Sequence, residues 1–243
     1  MKKTLSATVF SLAIIIAAII FGNAVINRNK KAGTIAVTGL GQTNFTSDLI
    51  VWEAKFSRIN TDLKEGYSNL KKDKTLIQAY LNSKGLPDSL IVFSAVETQK
   101  NMKQNYGTNG NYLGQEFTGY TLNQTVQINS PAVEQVEKIS REVTDLLNQG
   151  IQLYSMPPRY YYTKLEDLKI EMIARATENA NLRAKRIAEN SGANLDDLIT
   201  ANMGIFQITG QNSNEDYSWG GAYNTTSKEK TASITMKLTY QVD

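Results

Sequence analysis

The distribution of apolar and polar positions divides the chain into an N-terminal run and a longer body. Between Leu5 and Ile26 no residue is charged and most are apolar, so no polar face interrupts the run. From Ile35 onwards, apolar residues recur either at every second position or at spacings of three and four. These are the periods of strands and helices, respectively. The pattern therefore predicts a membrane-directed segment followed by a mixed α+β body.

Helical periodicity predicts three helices in the body, each followed by a glycine. The helices cover about 61–84, 131–149 and 165–190, and the glycines are Gly85, Gly150 and Gly192. Glycine after an apolar stripe is typical of a helix C-terminus. Ser130 and Pro131 suit an N-cap and a first helical position, which places the start of the second helix there. The third stripe is mostly alanine, so we expect this helix to approach a sheet closely.

Strand periodicity fills the segments between these helices. The predicted strands are 35–41, 49–59, 90–98, 115–129, 151–162, 198–208 and 231–242. Pro157 and Pro158 require an edge position or a break in the fifth strand. Residues 105–114 are rich in Asn, Gly and Tyr, which is the composition of an exposed hairpin connection. This order of elements predicts antiparallel sheets covered on one side by helices, an α+β fold.

The N-terminal run has features of both a cleaved signal peptide and a retained anchor. Residues 5–26 are long enough to span a bilayer at about 1.5 Å per residue, which favours an anchor. Gly22-Asn23-Ala24 supplies the small residues of a cleavage site, so cleavage stays an alternative. We expect residues 1–33 to be the signal or anchor with its linker. The body, 34–243, should then lie in the periplasm or another extracytoplasmic space, membrane-anchored through residues 5–26 or free.

Composition excludes several classes of activity. The chain contains no cysteine and no histidine. Disulfides, thiolate nucleophiles, Ser-His-Asp triads and nearly all zinc sites are therefore excluded. The net charge of +3 includes the basic residues beside the N-terminal run, and the body carries no basic stripe of the kind that binds nucleic acid. We expect no catalytic residue, no metal, no cofactor and no nucleic-acid partner.

Aromatic residues supply the candidate binding positions. Tyr160 and Tyr162 would share one face of a strand, where packing against a helix explains them at least as well as a ligand does. Tyr217, Trp219 and Tyr223 lie in the polar insert 209–230. Aromatic side chains in a glycine-rich loop bury little unless something covers them, and interfaces are enriched in Tyr and Trp. Subunit contact, packing within the loop and ligand binding remain alternatives for this insert.

Three segments of the body resemble the SIMPL-domain family, which includes bacterial periplasmic immunogenic proteins. Residues 35–41 resemble its V-x-G-x-G opening, and 119–126 resemble the second strand of its hairpin. Residues 174–193 resemble its long alanine-rich helix and the Ser-Gly-Ala that follows. The likeness extends from Thr34 to Val242. The long apolar N-terminus and the tyrosine-rich strand after Pro157 depart from the periplasmic pattern.

The resemblance implies a two-part α+β body in the cell envelope, links to stress responses and, in some members, ring-like oligomers. The resemblance does not supply any catalytic site for this chain. The leading hypothesis is an exported, non-enzymatic envelope protein that forms homo-oligomers through sheet edges and aromatic loops. The alternative is an envelope module that binds a glycan or peptide through the 209–230 insert. A third hypothesis is a carboxylate-based hydrolase that uses Glu116 or Asp216.

Overall fold

The computed structural model has the mixed α+β fold that the pattern predicts. It describes the backbone of residues 2–29 and 33–243, and the side chains of residues 11–25 and 33–243. The described chain forms two compact units from interleaved segments. Unit 1 contains the chain up to Gly41, residues 173–204 and residues 234–243, and unit 2 contains residues 42–172 and 205–233. Each unit is therefore assembled from segments that are distant in sequence.

The helices occupy the predicted regions. They are α1 (Lys2–Asn29), α2 (Leu63–Ser83), α3 (Val133–Glu142) and α4 (Leu165–Ser191). A short 3-10 turn spans Asp88–Leu90, and a second one, Val143–Gln149, continues α3 to Gly150. The predicted start of α3 is wrong by two residues. Its N-cap is Ala132, because the Ser130 hydroxyl instead accepts a hydrogen bond from the Ala132 amide at 3.1 Å in the turn before the helix.

The strands are more numerous than predicted. In chain order they are β1 (Gly33–Thr46), β2 (Leu49–Asn60), β3 (Ile91–Phe93), β4 (Glu97–Tyr106), β5 (Tyr112–Ser130), β6 (Gln152–Ser155), β7 (Arg159–Tyr161), β8 (Leu195–Met203), β9 (Gln207–Gly210) and β10 (Glu229–Val242). The predicted strands 90–98, 151–162 and 198–208 are each divided into two, and the division of 151–162 confirms the break at Pro157 and Pro158 that was one of the two alternatives. The break after β3 has a clear cause, because the Ser94 hydroxyl, and not a backbone carbonyl, accepts the Thr125 amide at 3.1 Å.

Unit 2 is a sheet with helices on one face. Its strand order is β3-β5-β2-β6, with β4 also paired to β5 and β7 also paired to β2. Alternate side chains of β2 are fully buried with those of β5, α2 and α3 in one core: Ile50, Trp52, Ala54, Phe56, Leu70, Ile77, Leu81, Leu122, Val126, Ile128, Val136 and Ile139. The other face of β2, with Glu53, Lys55 and Ser57, is half-buried. The predicted one-sided cover of the sheet is confirmed in this unit.

A polar pair ties the end of β2 to α2. The Arg58 guanidinium donates two hydrogen bonds to Asp73, one from Nε and one from Nη2, the second at 2.7 Å. Asp73 is 2% exposed. The hydrogen bonds to Asp73 raise the pKa of Arg58. A bidentate pair of this kind fixes geometry as well as charge, and it holds α2 against the strand.

Unit 1 packs a helix against a sheet with the order β1-β10-β8. The alanines of the predicted stripe, Ala176, Ala180 and Ala184, are buried, whereas Ile187, which was also predicted to belong to it, is exposed and Ala188 is buried in its place. A Cβ placed on Gly39 of β1 would lie 2.1 Å from the Ala176 carbonyl oxygen. Only glycine permits so close an approach of the two backbones. The glycine of the V-x-G-x-G segment is therefore a packing requirement of this unit.

Helix α1 is 28 residues long, and every residue from 11 to 25 is exposed. Its described apolar side chains include Leu12, Ile16, Ile20 and Phe21. Among the described residues, no helix is long and apolar enough to cross a membrane. The predicted membrane segment 5–26 extends beyond residues 11–25 at both ends. That prediction therefore lies in part outside the described residues.

Candidate functional site

The outer part of the β4–β5 hairpin, residues 101–118, extends beyond the rest of the sheet, and we call it the arm. β5 pairs with β2 only from Tyr120 to Ser130, whereas its pairing with β4 continues outwards to Tyr112. Within the described residues, each strand of the arm therefore has one unpaired edge. The predicted connection 105–114 is shorter in the structure, because β4 continues to Tyr106 and β5 begins at Tyr112.

A β-bulge marks the junction between the arm and the sheet. Asn101 pairs with Gly119 and Met102 pairs with Phe117, so Thr118 is the extra residue. Gly119 has φ +132, and a Cβ there would lie 2.8 Å from the Asn60 carbonyl oxygen. The bulge places Phe117 on the same face as Tyr120, although a regular strand would put them on opposite faces.

One face of the arm carries four exposed apolar and aromatic side chains, with the polar pair Gln104 and Gln115 between them. Cross-strand partners share a face, so Met102 with Phe117 and Tyr106 with Tyr112 all lie on the side that continues the helix-covered face of the sheet. These four side chains, which we call the arm stripe, are 44–59% exposed. The opposite face carries Lys103 and Glu116 as a paired position. The arm stripe was not predicted from the sequence, because Gln104 and Gln115 interrupt the apolar positions and leave no regular alternation.

The predicted insert 209–230 is an irregular segment, 211–228, between β9 and β10. The side chain of Gln207 holds its central turn. Gln207 Nε2 donates to the Ser218 carbonyl at 2.8 Å, and its Oε1 accepts the Ala222 amide at 2.6 Å. The Gly221 amide donates to the Ser218 carbonyl at 3.0 Å and closes the turn. The insert is therefore a fixed platform, and Trp219 lies at its outer end.

A buried polar cluster holds the inner end of the insert. Lys230 is 1% exposed, and its ammonium donates to Asn224 Oδ1 at 3.3 Å and to the Ser227 carbonyl. Asn224 in turn donates to the Glu215 carboxylate, which also accepts the Gly210 amide at 2.9 Å. Burial lowers the pKa of Lys230 to about 8, against a smaller opposite effect of Glu215. The cluster is internal to the insert and anchors it.

The structure separates the five predicted binding residues into two groups. Tyr160 is 7% exposed and belongs to the core of unit 2, and burial raises its pKa. Tyr162 packs its ring against Phe45 at a centroid distance of 4.8 Å. Both positions fit the packing interpretation more closely than an open binding surface.

The three aromatic residues of the insert remain accessible. Trp219 is 96% exposed, and Tyr217 and Tyr223 are also exposed. The Tyr217 hydroxyl accepts a hydrogen bond from Ser233 at 3.3 Å. Burial raises the pKa of Tyr223, and Tyr161 adds to that effect. The insert thus presents tryptophan on a fixed turn, flanked by partly packed tyrosines.

The positions considered for carboxylate chemistry lie on these same surfaces. Glu116 is on the arm, opposite Lys103, and Asp216 is in the insert. Both side chains are exposed. In the described part of the chain, no group of three or more acidic side chains is placed to hold a metal ion. That this protein has no catalytic residue and no metal stays a prediction.

The fold defines the class of this protein, which is an α+β body with an N-terminal apolar helix. A comparison with family models identifies the family. The family model SIMPL, described as a protein of unknown function (DUF541), matches residues 35–243. Because the match covers most of the chain, the protein belongs to the SIMPL family. No curated protein matches it. The three segments that resemble the family now have structural roles, since Gly39 and the alanine-rich helix pack together and Gly119 makes the bulge.

Proposed function

We propose that this SIMPL-family chain is an exported, non-enzymatic protein of the cell envelope that self-associates through its arm. The observation that carries the proposal is the arm itself, which has unpaired strand edges and four exposed apolar and aromatic side chains on one face. An isolated two-stranded ribbon is only marginally stable in water. Unpaired edges are templates for pairing with another chain unless charges, proline or a covering element block them. A partner that covers the arm would remove both liabilities.

Export is supported by α1. Its described side chains from residue 11 to residue 25 include no charged group, and all of them are exposed. Apolar side chains on all sides of one helix favour a lipid environment over water. We propose that the segment 5–26 inserts into a membrane during or after export, with the body in the periplasm or another extracytoplasmic compartment.

The non-enzymatic character is supported by the absence of histidine and cysteine and by the exposure of the two carboxylates considered above. General acids and bases act best when burial or neighbouring charges adjust them to the working pH. Glu116 and Asp216 are in open surroundings. A link to envelope stress responses rests on the family resemblance alone, and we retain it as part of the proposal.

Self-association is tested by changing one face of the arm at a time. Met102→Thr with Phe117→Thr removes apolar side chains from the arm stripe, and threonine keeps a strand propensity. Lys103→Thr with Glu116→Thr is the matched control, because this pair is at the next register position on the opposite face. Sedimentation velocity of the full chain in detergent, and of the body without residues 1–33, measures the assembly size.

We expect oligomers from the wild type and the control, and monomers from the arm-stripe variant. A wild type that stays monomeric at high concentration, both in detergent and as the free body, would overturn the self-association. Equal oligomer sizes for the two variants would show that the arm stripe is not the contact.

Export is tested separately by fractionation of cells followed by intact-mass measurement. An uncleaved chain that needs detergent supports a retained anchor, and a soluble chain that begins near Val25 supports a cleaved signal. A full-length chain in the cytosolic fraction would contradict export in either form.

A second candidate function is the binding of an envelope glycan or peptide by the insert. The observation that favours it is Trp219, which is 96% exposed on a turn held by Gln207. A preorganised aromatic side chain is a common anchor for binding, because little conformational freedom is lost when it is covered. Trp219→Ala should abolish binding to a glycan or peptide array while the melting temperature stays unchanged. Unchanged array binding by this variant would dispose of the candidate.

A further inference from the structure

A cleft of about 720 Å³ lies at the base of the arm. Its walls are residues 61–64 and Tyr67 at the start of α2, the adjoining part of the sheet, and Phe117 of the arm. Three aromatic side chains line it, Tyr67 from α2 with Phe117 and Tyr120 from β5. The rings of Phe117 and Tyr120 are 5.1 Å apart in an edge-to-face contact, which is a consequence of the bulge between them. The charged residues of the lining, Asp62 and Lys64, have opposite signs.

The arm stripe runs outwards from this cleft to the tip of the arm. Tyr106 and Tyr112 are paired near the tip, with ring centroids 5.8 Å apart, and both are exposed. No residue between Lys103 and Glu116 is charged. An uncharged aromatic tip has no electrostatic attraction for a nucleic acid or an anionic membrane surface. The uncharged aromatic tip matches the cleft, because the cleft has an aromatic wall and its two charged residues, Asp62 and Lys64, have opposite signs.

The tip cannot enter the cleft of its own chain. Tyr112 precedes Phe117 by five positions on one strand, a separation of about 17 Å at 3.4 Å per residue. Continuous pairing with β4 as far as Tyr106 keeps the arm extended. One molecule therefore carries both the cleft and a matching tip, but its own tip cannot reach its own cleft.

A second copy of the chain can bring a tip and a cleft together. When two arms lie antiparallel with their stripes in contact, the tip of each copy reaches the base of the other. Such a contact uses the same surface on both copies, so it is isologous and closes as a pair. The charges also allow it, because Lys100 and Lys103 are balanced by Glu97 and Glu116 along each β4–β5 hairpin.

We propose that the arms of two copies are exchanged, so that Tyr106 and Tyr112 of each copy fill the aromatic cleft of the other. The inference rests on the proposed self-association and specifies its surfaces and its symmetry. The occupant of the cleft is then a second copy of this chain, and the bulge at Gly119 is the feature that shapes both the cleft and the direction of the arm.

The test uses the absence of native cysteine, which makes every introduced thiol unique. Full-length chains with two different tags are produced together, one carrying Thr61→Cys at the cleft and the other carrying Asn111→Cys at the tip. Neither substitution removes an aromatic residue of the proposed contact. A short bismaleimide is added, and tagged dimers are measured on a reducing gel. Lys103→Cys, on the opposite face of the arm, replaces Asn111→Cys in the matched control.

We expect the cleft-to-tip pair to give several-fold more cross-linked dimer than the cleft-to-Lys103 control. We also expect Asn111→Cys alone to give little dimer, because the two tips lie at opposite ends of the contact. If the chains are oligomeric by sedimentation but the cleft-to-tip pair gives no excess, the arm exchange is wrong and the proposed self-association stands. Efficient dimerisation of Asn111→Cys with itself would indicate tip-to-tip contact and would also overturn the exchange. A monomeric wild type would overturn both.

Discussion

The two ends of β5 are one continuous strand in opposite surroundings. From Tyr120 to Ser130 the strand lies between β2 and β3 or β4, and Leu122, Val126 and Ile128 are buried under the helices. From Tyr112 to Gly119 it pairs with β4 alone, and Phe117 is exposed. Both parts carry apolar side chains on the same face, although Gln115 interrupts them in the outer part. The difference shows that the apolar pattern marks a face to be covered, and that the fold of one chain covers only part of it.

The insert repeats this contrast on a smaller scale. Lys230 at its inner end and Gln207, which holds its central turn, are buried and hydrogen-bonded, whereas Trp219 at its outer end is almost fully exposed. A charged group lies inside and a large aromatic group lies outside, the reverse of the usual distribution. Such a reversal favours a structural role for the inner end and a contact role for the outer end.

The largest expected effect is in the covered part of the sheet. Phe56→Ala removes a fully buried ring from the core of unit 2 and should lower the free energy of unfolding by about 3–5 kcal/mol. Ser57→Ala, on the half-buried face of the same strand, should stay within about 0.5 kcal/mol of the wild type. Urea unfolding followed by far-UV circular dichroism measures both. Equal effects would show that the helices do not cover this face in solution.

The junction between the covered and uncovered parts should be the next most sensitive position. Gly119→Ala combines an unfavourable backbone conformation with a contact of 2.8 Å to the Asn60 carbonyl oxygen. The expected destabilisation is about 2 kcal/mol or more. Gly114→Ala is the matched control, because Gly114 also has a positive φ, +115, but has nothing within 4 Å of its Cβ position. The difference between the two variants measures the contact that shapes the bulge, and no difference would argue against the close approach.

The buried lysine should give a smaller, pH-dependent effect. The pKa of Lys230 is about 8 in the folded chain and 10.5 in a model peptide, so between these values the unfolded state binds more protons than the folded state. The free energy of unfolding should therefore increase as the pH rises from 8 to 10.5, and Lys230 should cause no such change below pH 8. Lys230→Met should lose this rise in urea titrations across that range. An identical pH dependence in both proteins would mean that the ammonium group is not buried.

The smallest effect on stability is expected at the outer end of the insert. Trp219→Ala should change the free energy of unfolding by less than about 0.5 kcal/mol, because the side chain contributes little burial within one chain. Trp52→Ala, which removes a fully buried tryptophan of the same unit, provides the contrast. If the melting temperature of the wild type rises with protein concentration and that of Trp219→Ala does not, Trp219 stabilises oligomers. The insert would then belong to the self-association surface.

Much of the fold was accessible to pattern analysis because local periodicity encodes it. The positions of α2 and α4, the alternation in β2 and β10 and the close packing of the alanine stripe were all predicted from residue spacing. The break at Pro157 and Pro158 was predicted as one of two alternatives. The start of α3 and the divisions of 90–98 and 198–208 were not predicted, because side chains such as Ser94 replace backbone partners that are distant in sequence. The candidate site was predicted only in part. Trp219 was named as a candidate binding residue and is exposed, Tyr160 lies in the core as the packing alternative has it, and the arm stripe was not foreseen.

The sequence by itself determined which residues form helices and strands, which face of each is apolar, and which catalytic chemistries the chain lacks. These properties follow from spacing and residue type, which are local. Only the tertiary structure decided which apolar faces are covered, because burial depends on contacts between segments far apart in the chain. Gly119 illustrates the division: its freedom to adopt a positive φ is a property of glycine, but the need for it arises from the Asn60 carbonyl, which only the folded chain brings within 3 Å of the Cβ position.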